Sequence, residues 1–133
     1  MAMNRGRPLE VFNMNLNYTL DDYFITINSN EIKLPATVNH VFPYGNLVIV
    51  TVDFNWDLQN VFCFDESGKQ VWRIEKPGFF TAGTQGYDGV AIDSGTDARY
   101  YVKGRVLAFN RGRPFELDIY TGRVTTIPGN FER

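Results

Sequence analysis

The chain holds a single cysteine, Cys63, and a single histidine, His40. One cysteine cannot close an internal disulfide, which excludes the disulfide-scaffold class and leads us to expect a reducing, cytoplasmic setting. One His and one Cys also leave no transition-metal spacing. Long apolar runs are missing too. The longest, Leu47–Val50, is far too short to span a bilayer, so no membrane partner is expected. Residues Met1 to Phe12 carry Arg5 and Arg7 with no apolar run after them, which is not a signal-peptide pattern. No window of about eleven residues keeps the 3.6-residue apolar period of a helix. A basic excess is absent: the net charge is −2 and the pI is near 5.3, which argues against a nucleic-acid partner that would need its phosphates neutralised.

What is present favours strands. Eleven Phe and seven Tyr stand beside frequent Val, Ile and Thr, side chains that pack well on a pleated surface. A chain of 133 residues, 44% hydrophobic, is one domain with enough length for a core. Strand signals fall at Tyr23–Ile27, Glu31–Leu34, Leu47–Val52, Asn60–Phe64, Lys69–Glu75, Gly89–Asp93, Arg99–Val102, Arg105–Phe109, Phe115–Ile119 and Arg123–Ile127. Asn28-Ser29-Asn30 between the first two reads as a hairpin turn, because Asn tolerates positive φ. Leu47–Val52 is apolar nearly throughout and reads as a central strand buried on both faces. The expected fold is all-β: antiparallel hairpins in a β-sandwich or in blade-like sheets, with little helix; an open β-barrel is the alternative.

Two stretches share one hairpin cassette. Residues 62–74 read Phe-Cys-Phe-Asp-Glu-Ser-Gly-Lys-Gln-Val-Trp-Arg-Ile, and residues 115–127 read Phe-Glu-Leu-Asp-Ile-Tyr-Thr-Gly-Arg-Val-Thr-Thr-Ile. In both, an aspartate ends an apolar alternation, a Ser/Thr-Gly-Lys/Arg turn follows, and a valine and an isoleucine return at equal offsets. A shorter repeat, Asn4 to Glu10, recurs as Asn110 to Glu116 with six of seven positions identical. The later copy falls between strand signals, so Arg111-Gly112 reads as a hairpin tip. The early copy reads either as the matching strand start of another unit or, over residues 1–13, as an appended segment.

The pattern from Phe64 to Trp72 resembles the outer hairpin of quinoprotein-type β-propeller blades, in which an aspartate and a Thr/Ser-Gly-Lys turn precede a valine or leucine and a tryptophan. Asp118 to Val124 resembles it less closely, with one extra residue before the glycine and no tryptophan. The likeness covers about 30 of the 133 residues. It implies blade-like sheets and carries over no cofactor residue. Three hairpin units cannot close a propeller, which needs at least ~4 blades of four strands.

Sets of residues that could carry chemistry are incomplete. His40 could act as a general base, but no Gly-x-Ser-x-Gly elbow accompanies it and a histidine bonded to backbone is the plainer reading. Cys63 lies in an apolar run, where a small buried residue is the default, and Asp65 and Glu66 oppose a thiolate. Asp53-Phe-Asn55-Trp-Asp57 matches the first half of a calcium loop, but Leu58 and Phe64 occupy the glycine and glutamate positions. Asp93 to Asp97 is equally fragmentary. No cofactor is expected. Gly78 to Gly95 holds five glycines without a Gly-Lys-Ser/Thr ending. Loops of that length are often functional, so it is a candidate rim. Arg5, Arg7, Arg111 and Arg113 read as solvated turn residues.

Charge is distributed unevenly. From Asp21 to Glu66 seven acids face one base, Lys33, a balance of −6; from Ser67 onward ten bases face seven acids, a balance of +3. Asp53, Asn55, Trp56 and Asp57 follow the central strand, Asp65 and Glu66 sit at a hairpin tip, and Asp21 and Asp22 precede another strand. Should these loops share one end of the sheet, they form an acidic surface around an aromatic residue, which would steer a basic protein and anchor it. The expectation is a non-enzymatic protein-binding domain, in its sharpest form a bacterial immunity or antitoxin-type protein that neutralises a basic toxin. Two other classes stay open: a ligand-binding or enzyme domain using the glycine-rich loop with His40, Tyr87 and Asp88, and a β module that pairs with a copy of itself through an exposed strand edge.

Overall fold

The computed structural model describes residues 16–77, 85–94 and 104–127. The early heptapeptide copy, Arg5, Arg7, the Arg99–Val102 strand, residues 78–84 of the glycine-rich connection and Asp97 lie outside them. Eleven strands are described: β1 (Tyr18–Asp21), β2 (Phe24–Ile27), β3 (Asn30–Lys33), β4 (Val38–Tyr44), β5 (Leu47–Val52), β6 (Val61–Phe64), β7 (Gln70–Arg73), β8 (Gly89–Ile92), β9 (Val106–Asn110), β10 (Arg113–Leu117) and β11 (Val124–Thr126). The described residues contain no helix, and so none long and apolar enough to cross a membrane.

The strands form three antiparallel sheets, each running through consecutive strands: β1-β2-β3, β4-β5-β6-β7 and β8-β9-β10-β11. Among the described residues the strands fall into three separate sheets and none closes into a barrel, which is the layered, sandwich form of the expectation. Successive side chains of a strand point to opposite faces, and the middle sheet uses both faces. Ile49, Val61, Cys63, Trp72 and Ile74 pack against Val90, Val106, Ala108, Phe115, Leu117 and Ile119 of the third sheet. Val48, Val50, Val52, Phe62 and Phe64 face the first sheet, against Leu16, Ile25, Ile27 and Leu34. This is why Leu47–Val52 and Val61–Phe64 lack an alternating pattern: no face of β5 or β6 meets water. Each fully buried aliphatic side chain there contributes about 1.5–3 kcal/mol of transfer free energy.

The two cassettes fold alike. The Asp65 N–H donates to Lys69 O at 2.9 Å, and the Asp118 N–H to Arg123 O at 2.9 Å. Gly68 N–H returns to Asp65 O at 3.0 Å and Gly122 N–H to Asp118 O at 2.8 Å. Asp65 Oδ1 accepts from the Ser67 N–H and Asp118 Oδ1 from the Tyr120 N–H, both at 2.9 Å. The second turn has one residue more, and the first strand pair absorbs the difference with a bulge at Val71: Cys63 pairs with Trp72 but Phe64 with Gln70.

The same two turns join the sheets. Asn28 Nδ2 of the first sheet donates to Glu66 O at 3.0 Å, and Trp72 Nε1 of the second donates to Ile119 O at 2.7 Å. Each acceptor is the carbonyl directly after the cassette aspartate, so one latch occurs twice. Gly122 (φ +80°) lies against the Trp72 ring so closely that a Cβ would sit 2.7 Å from Cε3. Glycine is required there both for φ and for space.

Two strands escaped the sequence reading. β1 is mostly exposed, and β4 contains His40 and Pro43. β4 is an edge strand of its sheet, where a proline removes no interior hydrogen bond.

Candidate functional site

Strand direction distributes the predicted acidic residues. Loop 53–60 joins β5 to β6 and turn 65–69 joins β6 to β7, so the two lie at opposite ends of β6, roughly 13 Å apart for a four-residue strand. Asp65 and Glu66 therefore do not join Asp53, Asn55, Trp56 and Asp57. They stand instead at the first-sheet latch, beside Asn28. Asp21 and Asp22 do reach the Asp53 end. The Val38 N–H donates to Asp22 O at 3.1 Å and the Asp53 N–H to Thr37 O at 2.9 Å, which ties the β1–β2 turn to the start of the acidic loop. A single acidic surface of eight residues is thus replaced by two: one with Asp21, Asp22, Asp53, Asn55, Trp56 and Asp57, the other with Asp65 and Glu66.

The loop after β5 is shaped by its aspartates. Asp53 Oδ1 accepts from the Asn55 N–H at 2.9 Å and Asp57 Oδ1 from the Gln59 N–H at 3.0 Å. These are Asx turns, in which the side chain does the work of a backbone turn. Between them Trp56 is 37% exposed. Its ring lies 5.9 Å from that of Phe62, and the Arg73 guanidinium carbon lies 4.9 Å from the Trp56 centroid and 5.3 Å from that of Phe62. Arg73 Nη2 is 3.5 Å from Asp57 Oδ2, and Arg73 Nε donates to Gln59 O at 2.7 Å.

Beneath the loop is a polar lock that sequence reasoning missed. Asn60 is fully buried. Its Nδ2 donates to Val52 O and Tyr87 O, both at 2.8 Å, and its Oδ1 accepts from the Tyr87 N–H at 2.6 Å. Asn110, also fully buried, donates from Nδ2 to Gln85 O at 3.1 Å and Gly86 O at 2.9 Å. Two asparagines thus pin residues 85–87 between the second and third sheets, and the Gly86 N–H completes the join by donating to Phe54 O at 2.7 Å. One signal was available. Asn60 directly precedes the apolar strand β6 and Asn110 ends the apolar strand β9, positions where a buried polar side chain calls for hydrogen-bond partners.

The residues of the ligand reading have other occupations. Tyr87 is fully buried, its hydroxyl donates to Glu75 O at 2.8 Å, and burial with the Glu75 charge raises its pKa. His40 Nε2 lies 3.0 Å from Val90 O, joining β4 to β8. Asp88 Oδ2 accepts from the Gly112 N–H at 3.2 Å. A groove of about 500 Å³ runs along β11, lined by Gln59, Glu75, Lys76, Phe115, Val124 and Thr126, and includes none of these three. Cys63 is buried, and desolvation, with the Asp65 charge second, pushes its thiol up to about 12. The thiolate is accordingly scarce at neutral pH. Asp65 has a lowered pKa, first because the Ser67 hydroxyl donates to it and then through the Lys69 and Ser67 N–H groups and the Lys69 charge.

The chain belongs to the family described as a domain of unknown function, DUF7957, whose profile matches residues 15–127. No curated protein and no solved structure matches it.

Proposed function

We propose that this chain is a non-enzymatic binding domain that recognises a basic protein through the end of the molecule carrying Asp21, Asp22, Asp53, Asn55, Trp56 and Asp57. In its most concrete form it is a bacterial, cytoplasmic immunity or antitoxin-type protein that neutralises a basic toxin. The observation that carries this reading is Trp56, a large aromatic left 37% exposed between two turn-forming aspartates. Tryptophan at the centre of a polar rim is the residue type most enriched among interface hot spots. The carboxylates around it would raise the encounter rate with a basic partner and set its orientation. The lock beneath the loop supports the reading because a pre-ordered surface loses less entropy on binding.

The test is affinity capture with the full chain at low and high salt. A stoichiometric basic partner that is retained at low salt, released at high salt and lost when Asp53 and Asp57 are reversed to Lys is the expected result, since salt screens exposed charges. A partner whose retention ignores both salt and the reversal would contradict the reading.

A further inference from the structure

We propose that Trp56, Phe62, Asp57 and the Gln59 carbonyl form a guanidinium site, filled in the free chain by its own Arg73 and available by exchange to an arginine of the partner. This rests on the reading of that end as the partner surface and names the group it recognises.

The contacts of the guanidinium are both aromatic and polar. Its central carbon lies 4.9 Å from the Trp56 ring centroid and 5.3 Å from that of Phe62, two neighbouring rings that form one aromatic corner. Its edge meets a carboxylate at 3.5 Å, and its Nε a backbone carbonyl at 2.7 Å. This set selects arginine over lysine, because a planar, weakly hydrated fork both stacks and donates sideways, whereas an ammonium is a compact, strongly hydrated point charge. The occupant is not sealed in: the Arg73 side chain is 34% exposed and that of Asp57 is 43% exposed. An exposed ion pair of this kind holds weakly, so a second guanidinium approaching through the field of Asp21, Asp22 and Asp53 finds the same contacts while Arg73 swings into water. The internal arginine is therefore a placeholder. It keeps the Trp56 ring oriented before binding and raises the threshold for partners that present a single cation, since a tethered competitor acts at millimolar effective concentration.

The experiment removes the placeholder. Arg73→Ala and, as a variant that keeps an apolar stem over Phe62, Arg73→Met are titrated with ethylguanidinium chloride and N-acetyl-arginine amide, and in parallel with ethylammonium chloride and N-acetyl-lysine amide. Emission from the exposed Trp56 reports binding, while the buried Trp72 reports that the fold is intact. The expected result is saturable quenching and a raised Tm with the guanidinium probes, little response to the ammonium probes, and no response in the parent chain, where Arg73 competes. Quenching absent from both folded variants, or equal for the two cations, would overturn the guanidinium site. If salt-sensitive capture of a basic partner persists in that case, the partner reading stands without it. If the guanidinium response appears and no partner is found, the site stands and the partner reading falls.

Discussion

The two ends of the middle sheet carry the same residue types and use them differently. At the β6–β7 tip, one Asp65 oxygen accepts from the Ser67 N–H, the Ser67 hydroxyl and the Lys69 N–H. The turn then latches onto the first sheet through Asn28. At the β5–β6 end, Asp53 and Asp57 each accept one backbone N–H within their Asx turns, and the loop presents Trp56 to water. The lesson is that an aspartate is read by what its oxygens hold. At one end the carboxylate is taken up within its own turn; at the other the turn-forming aspartates flank an exposed tryptophan. The two tryptophans repeat the contrast, Trp72 being 7% exposed with its N–H bonded to Ile119 O, and Trp56 being 37% exposed.

Changes that break the assembling parts should have the largest effects. Asn60→Ala leaves the Tyr87 N–H and the Val52 and Tyr87 carbonyls buried without their partner, and each such group costs about 1–3 kcal/mol, so a loss of roughly 3–5 kcal/mol is expected in chemical denaturation. Trp72→Phe keeps the ring and loses the latch; it should cost about 1–3 kcal/mol by the same measurement and leave partner capture unchanged in the folded fraction. The acid dependence of the β6–β7 tip is a smaller effect with a definite sign. Asp65 has a lowered folded pKa, so its contribution to stability is present above the ordinary carboxylate value and is lost as pH falls through the folded value. Stability curves of the parent and Asp65→Asn, measured by thermal melts, should therefore differ near neutrality and converge on the acid side. Smallest of all for folding, Asp53→Lys forfeits one Asx-turn hydrogen bond and should cost no more than about 1 kcal/mol.

Much of this contrast is legible in the sequence. The Asp-x-Ser-Gly and Asp-x-x-Thr-Gly turns identified two equivalent hairpins, and the unbroken apolar run Leu47–Val52 identified a strand covered on both sides. An antiparallel meander also dictates that the loops before and after β6 lie at opposite ends, so the separation of Asp65 and Glu66 from Asp53 and Asp57 follows from strand order alone. The approach of the Asp21-Asp22 turn to Asp53 does not follow, because it depends on how the first sheet packs on the second. The burial of Asn60 and Asn110 was hidden for another reason: composition counts asparagine as a turn residue, and only the three-dimensional path of residues 85–87 supplies the backbone carbonyls to which both Nδ2 groups donate. The stacking of Arg73 on Trp56 joins residues seventeen positions apart through the Phe62–Arg73 register, which one bulge determines.

The most direct test of the account compares charge reversal at the two ends in the same capture assay, at low salt, with folding checked by Trp72 emission. The account predicts that Asp53→Lys with Asp57→Lys abolishes retention of the basic partner, while Asp65→Lys with Glu66→Lys leaves it close to that of the parent. Equal losses from both pairs would contradict it, since they would show that the partner responds to the net charge of the chain and not to the Trp56 end.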